Sequence, residues 1–281
     1  MKVISTTAQV GDMVVFVGGD RIDHSTLIPS ELDPHSYELV KGDGERLSFA
    51  DLIFYIGLGL EHGASLSSFL QKNSHAISVG KEIQKIDEKA ILTKDGVIDP
   101  HLWMDLRLWS QAIPTIVENL SSLDPEGKNF YEERGALLKE KMVLLDQSIK
   151  DRLMKIPSEK RYLVTSHDAF RYFVRAYLKE SQEEDWEKRF TAPEGLAPDG
   201  QISPMDMEMV IQFLKKHQIK VLFPESNLSR SVVAKIAKAS SSLGHVVRLC
   251  PSPLYGDSMG PFSYFEAMEK NAELIAKELE E

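Results

Sequence analysis

Three histidines and one aspartate occur in sequence contexts that are typical of metal ligands. His35 lies in LDPHSYE and His101 lies in IDPHLWMD, so the tripeptide Asp-Pro-His occurs twice. Proline fixes its own φ angle and restricts the preceding residue, so both histidines follow a stiff segment. The aspartates two residues upstream, Asp33 and Asp99, can orient the imidazole rings, as carboxylates do for metal-bound histidines.

The other two candidates follow predicted strands. His167 lies in VTSHDAF, directly after the apolar run 162–165, and Asp257 in PLYGDSMG follows a run that ends near Leu249. In parallel α/β sheets, ligands bind beyond the carboxyl ends of the strands, so both residues are expected at a ligand-binding edge. Glu225, in LFPES, ends a further predicted strand and is either a residue that supports the site or a purely structural carboxylate.

Three imidazoles and one carboxylate favour a borderline divalent transition-metal ion, namely Zn²⁺, Mn²⁺ or Fe²⁺. They do not suit Ca²⁺ or Mg²⁺, which prefer oxygen ligands. We therefore predict that His35, His101, His167 and Asp257 hold one such ion. Two of these residues lie in each half of the chain, which is expected for a ligand held in a cleft between two lobes. The remaining histidines are interpreted as structural or surface residues: His24, His62, His75, His217 and His245.

Two other functions are weighed against simple metal capture. A metal-dependent hydrolase usually keeps one coordination position open for water, whereas four predicted ligands fill a tetrahedral site. The sequence also contains no HExxH motif. A surface adhesin is the second alternative, but no repeat or stalk in the sequence supports it. We predict that the chain is not an enzyme.

The elements that must position these residues alternate between strand and helix in both halves of the chain. Predicted strands cover 3–5, 22–28, 51–56 and 76–79 in the first half, and 162–165, 220–223 and 245–249 in the second. Predicted helices include 66–71, 169–178, 204–217, 231–241 and 262–280. This alternation predicts α/β layers with parallel sheets.

A long helix is predicted between the two halves, because no β pattern occurs from 124 to 156. Asp124 can cap this helix and Pro125 suits its first turn. An apolar stripe with spacings of three and four follows: Leu138, Met142, Leu145, Ile149, Leu153 and Ile156. A helix of roughly thirty residues would be about 50 Å long. Such a length favours a strut between two lobes over an ordinary surface helix.

The segment 179–200 interrupts the alternation of the second half. It is first charged and then rich in proline and glycine, which indicates a surface loop or insertion. Trp186 and Phe190 are the residues that could anchor it.

Composition excludes several classes of protein. The 281 residues carry a formal net charge of −10, so no nucleic-acid partner is predicted. The single cysteine, Cys250, excludes an internal disulfide and a multi-cysteine zinc site, and it is predicted to be a small core residue. No apolar run is long enough to span a membrane. No signal peptide precedes the first strand, as in an exported protein without its leader, so the residues alone leave localisation open.

Taken together and in this order, the motifs resemble the metal-binding solute-binding proteins of ABC importers, the bacterial solute-binding protein 9 family, which serves zinc, manganese and iron uptake. The resemblance covers nearly the whole chain. It rests on DPHSYE, ADLIFYIGLGLE at 50–61, DPHLWMD, SHDAFRYF at 166–173, VLFPES at 221–226 and PLYGDSMG. It implies the ligands His35, His101, His167 and Asp257, the third of which is histidine in some members and glutamate in others.

The resemblance also implies a fold and a setting. The fold is two similar α/β lobes with parallel sheets, joined by one long rigid α-helix, with the metal site in the cleft between the lobes. The expected boundaries are 1–123 for the N-terminal lobe, 124–156 for the connecting helix and 157–281 for the C-terminal lobe. The implied setting is extracytoplasmic, in the periplasm or anchored by lipid on the outer side of the inner membrane. There the chain is expected to act as a monomer that delivers its ion to an ABC-importer membrane permease.

Two departures from the family pattern concern the metal and the insertion. Members specialised for zinc often carry a histidine-rich, acidic loop between the second ligand and the long helix. The corresponding segment here, 106–123, contains no histidine, which argues against a dedicated zinc scavenger. The segment 179–200 is also longer than the family usually has at this place.

Overall fold

Short strands alternate with α-helices along most of the chain. The computed structural model describes residues 1–198 and 202–280. The strands are β1 Lys2–Ser5, β2 Asp23–Thr26, β3 Leu52–Tyr55, β4 Ala76–Ser78, β5 Thr93–Lys94, β6 Val97–Ile98, β7 Leu163–Val164, β8 Phe190–Thr191, β9 Val221–Leu222 and β10 Arg248–Leu249. The α-helices are α1 Ala8–Gly18, α2 Asp43–Ser48, α3 Ala64–Lys72, α4 Val79–Ile86, α5 Leu106–Trp109, α6 Ile113–Leu123, α7 Lys128–Leu153, α8 Arg171–Tyr177, α9 Pro204–Lys216, α10 Ser231–Ser242 and α11 Tyr264–Glu280. Short 3₁₀ helices include Leu102–Met104, Pro125–Gly127 and Trp186–Arg189.

The chain divides into two compact units. Unit 1 comprises Met1–Asp146 and Pro261–Tyr264, and unit 2 comprises Gln147–Gly260 and Phe265–Glu281. The division falls within α7, so this helix contributes residues to both units. The predicted boundaries, which treat 124–156 as a separate connecting helix, stay a prediction.

Unit 1 is built on a parallel sheet with the strand order β2-β1-β3-β4. The apolar run that predicted the third strand forms β3, whose Ile53 and Phe54 are completely buried, as expected for a strand covered on both faces. Ile4 of β1 and Leu66 and Leu70 of α3 pack in the same core cluster. Because the four strands are parallel, their carboxyl ends lie at one edge of the sheet, where ligands bind in this class of fold.

Unit 2 repeats this strand order. β7 pairs in parallel with β8, and β9 pairs in parallel with β10. A backbone hydrogen bond from Phe223 N to Val164 O joins the two pairs, which gives the order β8-β7-β9-β10. Counted along the chain within each unit, both sheets run second, first, third, fourth. This repetition is what two similar α/β lobes require.

The long predicted helix is present, but it begins later and ends earlier than the predicted range 124–156. α7 has 26 residues and is preceded by the 3₁₀ turn Pro125–Gly127, in which the side chain of Asp124 accepts a hydrogen bond from Gly127 N. Five members of the predicted apolar stripe are at most 2% exposed: Leu138, Met142, Ile149, Leu153 and Ile156. The helix is therefore amphipathic: burial of its apolar face stabilises it, and its remaining faces are mostly charged.

The segment 179–200 is more ordered than a surface loop. Its residues Trp186–Arg189 form a 3₁₀ helix, and Phe190–Thr191 forms β8. Trp186 and Arg189 are buried. Because β8 joins the sheet beside β7, the segment belongs to the architecture of unit 2. Residues 199 and 200 of the predicted insertion lie outside the described residues.

Among the described residues, none of the helices combines the length and the apolar composition needed to cross a lipid bilayer.

Candidate metal centre

His35 lies on the chain between β2 and α2, and its backbone is held from two sides. Its N–H donates to Asp33 Oδ1 at 3.0 Å, and its carbonyl accepts from the backbone N–H groups of His62 and Gly63. Glycine is required at 63 because a Cβ there would lie 2.0 Å from Tyr37 O. The turn at 57–63 therefore also fixes the backbone of His35, which is only 1% exposed.

His101 follows the strand β6 and directly precedes the 3₁₀ helix Leu102–Met104. The ring is completely buried, and its Nδ1 lies 2.7 Å from Asp99 Oδ1, which also accepts the backbone N–H of His101. A carboxylate at Nδ1 favours the tautomer that leaves the Nε2 lone pair free for a metal ion. The prediction that Asp99 orients this ring is confirmed by that contact.

The two histidines of unit 1 direct the same ring atom towards one point. His35 Nε2 lies 3.3 Å from His101 Nε2. Two nitrogens that bind one tetrahedral ion at 2.0–2.1 Å are separated by about 3.3 Å. The spacing thus matches that of two ligands of a single ion, and we call His35 and His101 the unit 1 donor pair.

His167 follows β7, as its sequence context predicted. Its ring is completely buried, and Nε2 lies 3.0 Å from Asp257 Oδ2. We call His167 and Asp257 the unit 2 donor pair. Their separation is slightly below the spacing of two ligands on one ion, because here the ring and the carboxylate contact each other directly.

Glu225 completes the surroundings of His167. Its Oε2 lies 2.7 Å from His167 Nδ1, and both side chains are fully buried. Its Oε1 accepts the backbone N–H groups of Ser166 and His167 at 3.0 and 2.8 Å. The sequence left Glu225 open between a supporting residue and a structural carboxylate, and these contacts favour the first reading.

The electrostatics of His167 follow from this arrangement. Burial alone lowers the pKa of an imidazole, but the charges of Glu225 and Asp257 outweigh burial and raise the pKa of His167 well above its usual value of 6.5. The metal-free ring is therefore held as a cation between two carboxylates. A metal ion that binds there must displace a proton.

Glu194 is a further acidic residue near His167 that the sequence did not single out. Its backbone N–H donates to Ser166 O at 3.4 Å, and Asp168 N donates to Gly195 O at 3.1 Å, so the segment 194–195 runs beside that of His167. Burial raises the pKa of Glu194, and the charge of His167 opposes that rise. No local motif marks the position, since the pairing joins residues that are distant in sequence.

The structure thus brings the predicted residues together in two pairs, one in each unit. The other histidines have different surroundings: His62 and His75 are exposed, His24 contacts Ser5 Oγ, His217 stacks on Tyr162, and His245 contacts the carbonyl of Ile219. Cys250 is fully buried, as predicted for a core residue, and burial raises the pKa of its thiol.

Comparison with known proteins identifies the group to which this architecture belongs. The profile of the family described as ZnuA, zinc-uptake complex component A, periplasmic, matches residues 3–278. The metal-binding protein YtgA of Chlamydia pneumoniae is 38% identical over 280 residues, which cover 99% of this chain and 85% of that protein. The manganese ABC transporter substrate-binding lipoprotein PsaA of Streptococcus pneumoniae is 30% identical, over 99% of this chain and 89% of that protein.

A solved structure extends the likeness to the fold. The crystal structure of Fe(III)-bound YtgA from Chlamydia trachomatis matches with a TM-score of 0.95 and 35% sequence identity, over 99% of this chain and 98% of that chain. The predicted fold class, with parallel sheets in α/β lobes and one long helix, is confirmed by this match. The prediction that the chain is not an enzyme is confirmed by the family. The chain belongs to the ZnuA family of metal-binding solute-binding proteins of ABC importers.

Proposed function

We propose that this chain is the extracytoplasmic solute-binding component of a metal ABC importer, which captures one transition-metal ion and delivers it to a membrane permease. The observation that carries the proposal is the pair of Nε2 atoms of His35 and His101, spaced as two ligands of one ion in a chain of this family. The unit 2 donor pair supplies a further imidazole and a carboxylate of the kind that borderline metal ions prefer.

The proposed site unites the two donor pairs on a single ion. His35, His101, His167 and Asp257 are all buried, so the ion would be shielded from water. Four protein ligands fill a tetrahedral shell, which is typical of a site that holds an ion rather than one that activates water. With one ligating carboxylate, a bound divalent ion leaves a charge of about +1, which the nearby carboxylates of Asp99 and Glu225 further offset.

Three metals are candidates for the bound ion. The family is named for zinc, one relative for manganese, and one related structure holds Fe(III). Imidazole and carboxylate ligands accept all of these metals. We therefore propose Zn²⁺, Mn²⁺ or iron as cargo. The iron in the related structure adds the trivalent ion to the divalent ions that the sequence predicted.

The proposed mechanism is capture and release without chemistry on the ion. Asp99 and Glu225 hold the rings of His101 and His167 with Nε2 available. The metal displaces the proton of His167 on binding, and a proton can compete for the same nitrogen on release. The ion keeps its oxidation state, and only its bonds to the protein ligands form and break.

The setting of the protein follows from its family. Extracytoplasmic location and a permease partner are common to solute-binding proteins of ABC importers. We propose in addition that the chain is a monomer and that its mature form is either free in the periplasm or attached by lipid to the outer side of the inner membrane. Sedimentation of the purified protein with and without metal tests the first of these statements.

Metal stoichiometry is the measurement that tests the proposal. The purified protein is stripped and offered Mn²⁺, Fe²⁺ and Zn²⁺ separately, and bound metal is counted by mass spectrometry for wild type, His101→Ala and His167→Ala. One equivalent in wild type that both variants lose or hold more weakly is expected, because each variant removes a ligand from a different unit.

Two results would contradict the proposal. Wild type that binds none of the metals in stoichiometric amount refutes metal capture. Two equivalents in wild type, of which each variant loses a different one, would show that the donor pairs hold separate ions. The hydrolase alternative is set aside by the family, and the adhesin alternative stands only as a secondary function beside metal transport.

A further inference from the structure

Glu225 is the residue on which the two ligand-bearing segments of unit 2 converge. We propose that Glu225 is a positioning residue that sets the orientation of the His167 ring and ties the segment of His167 to that of Asp257. The inference rests on the proposed function and names a residue of that site beyond the four predicted ligands.

The first set of contacts fixes the segment of His167. One carboxylate oxygen of Glu225 accepts the backbone N–H groups of Ser166 and His167, and Ser166 Oγ in turn accepts the backbone N–H of Glu225 at 3.2 Å. The other oxygen lies 2.7 Å from His167 Nδ1. Backbone and ring of the same ligand are thus held by one side chain that is 1% exposed.

The second set of contacts reaches the segment of Asp257. Residue 225 forms a parallel β-bridge with Leu254, supported by the hydrogen bonds from Leu254 N to Pro224 O and from Ser226 N to Leu254 O. Gly256 packs directly on the carboxylate, since a Cβ there would lie 2.7 Å from Glu225 Oε2. Gly256, the residue before Asp257, therefore limits where the carboxylate of Glu225 can move.

These contacts have a consequence for metal binding. When the metal displaces the Nε2 proton of the cationic ring, a carboxylate at Nδ1 keeps the remaining proton on that nitrogen, so that Nε2, which faces Asp257, binds the ion. Removal of such a partner typically weakens metal binding by roughly 10- to 100-fold. A buried carboxylate that only braced the fold would affect stability without this selective loss.

Unit 1 offers a matched carboxylate for comparison. Glu61 follows the third strand of its unit, as Glu225 does, and is also buried. It accepts the backbone N–H groups of Ile56 and Gly57 and the hydroxyl of Thr6. Its carboxylate bonds to backbone and a hydroxyl, whereas that of Glu225 also meets the ring of a ligand.

The experiment compares Glu225→Gln, Gly256→Ala and the control Glu61→Gln in the full chain. Zn²⁺ affinity and dissociation rate are measured by competition with a chelator, the His167 ring is observed by ¹⁵N NMR, and thermal unfolding of the metal-free protein reports stability. Gly256→Ala keeps every polar group and has no positive φ to strain, so it displaces the Glu225 carboxylate without removing its charge.

Glu225→Gln is expected to bind one equivalent of Zn²⁺ roughly 10- to 100-fold more weakly, to release it faster and to show changed ¹⁵N shifts of the His167 ring in the zinc-loaded protein. Gly256→Ala is expected to weaken binding in the same direction. Glu61→Gln is expected to lower the unfolding temperature and to lose less affinity than Glu225→Gln, because its carboxylate bonds to backbone and a hydroxyl and to no ligand ring.

Three outcomes would overturn the inference. Wild-type affinity in Glu225→Gln would remove the positioning role, and so would an equal loss of affinity in Glu61→Gln. If Glu225→Gln does not fold, wild-type affinity and wild-type ¹⁵N shifts of the His167 ring in folded Gly256→Ala decide against it. Wild type that binds no Zn²⁺, Mn²⁺ or Fe²⁺ would instead refute the proposed function itself.

Discussion

The two Asp-Pro-His tripeptides differ in what their aspartates bind. Asp99 contacts both the ring and the backbone of His101. Asp33 accepts the backbone N–H of His35 and the hydroxyl of Ser36, so it shapes the turn rather than the ring. The same three residues therefore orient a ligand in one place and a loop in the other.

This difference predicts unequal effects of the same substitution. Asp99→Asn removes the carboxylate at His101 Nδ1 and is expected to weaken Zn²⁺ binding by roughly 10- to 100-fold. Asp33→Asn, the matched control, keeps an oxygen acceptor for the turn and is expected to change affinity little. Competition with a chelator measures both, and equal losses in the two variants would show that Asp99 acts through the turn instead of the ring.

The charge state of His167 predicts proton release on metal binding. The carboxylates of Glu225 and Asp257 raise the pKa of the ring, so the metal-free protein carries a proton there at neutral pH, and the metal must displace it. Affinity should therefore be highest above that raised pKa and should fall as the pH drops through it.

Calorimetric titration with Zn²⁺ at pH 7, in two buffers of different ionisation enthalpy, counts the released protons. Release that falls in His167→Asn, which has no ionisable ring, is the expected result. Heats that do not depend on the buffer would show that binding releases no proton, so that the His167 ring is not a cation in the metal-free protein.

At the scale of elements, the strand order places the supporting carboxylates. In both units the third strand lies beside the first, so the residues that follow these two strands lie next to each other. At this point the crossover connections leave the sheet in opposite directions. Ligand sites of open α/β sheets form at this point. Glu225 reaches the segment of His167 for this reason, and Glu61 reaches Thr6 in the same way.

The segment that contains β8 depends on one buried ion pair. Arg189 Nε lies 2.5 Å from Glu183 Oε2, and its other nitrogens donate to Ser158 and to Arg161 O. The two side chains are only 5% and 7% exposed, so loss of Arg189 leaves the buried carboxylate of Glu183 with the half-exposed Lys188, whose Nζ lies 3.3 Å from Glu183 Oε1.

Arg189→Met is accordingly expected to destabilise this segment by about 3–5 kcal/mol. Arg152→Met is the control, because its pair with Glu273 is largely exposed and such pairs contribute about 0–1 kcal/mol. Hydrogen exchange of the amides at 180–191 measures both changes. Equal protection in the two variants would mean that the ion pair does not hold the segment.

The sequence predicted the order of most elements and the ligand pattern for clear physical reasons. Apolar runs mark buried strands, the stripe from Leu138 to Ile156 marks the long helix, and stiff turns mark the two Asp-Pro-His histidines. Ends of strands were predicted less well: 245–249 was predicted as a strand, but only Arg248–Leu249 is paired. The apolar run in 245–249 includes residues for which no neighbouring strand is available, so its length overestimates the strand.

The parts of the fold and of the site that the sequence did not predict depend on contacts between residues that are distant in sequence. β8 pairs with β7, and the segment of Glu194 pairs with that of His167, but local composition at 179–200 shows only charge, proline and glycine. The charges there predict exposure, whereas Arg189 and Glu183 are buried because they neutralise each other. No pattern within a short window could have shown this pairing.

At the scale of the whole molecule, metal binding should contribute to the stability of the fold. A ligand that binds only the folded chain stabilises it by RT ln(1 + [L]/Kd), so the shift in unfolding temperature at a fixed metal concentration ranks the affinities. The folded chain supplies ligands from both units in the proposed site. His101→Ala and His167→Ala should therefore each abolish most of the shift.

The same measurement separates affinity from cargo. For a given set of nitrogen and oxygen ligands, Zn²⁺ binds more tightly than Mn²⁺ or Fe²⁺, and the proposed shell of three imidazoles and one carboxylate suits Zn²⁺ well. The unfolding temperature is therefore expected to rise more with Zn²⁺ than with an equal concentration of Mn²⁺, with His101→Ala as the control. This result would mean that zinc is bound tightly whatever the importer carries, and that selection depends on supply and on the permease. A shift with Mn²⁺ that equals or exceeds the shift with Zn²⁺ would show that the site enforces a coordination geometry that zinc does not favour, and it would assign metal selection to this chain.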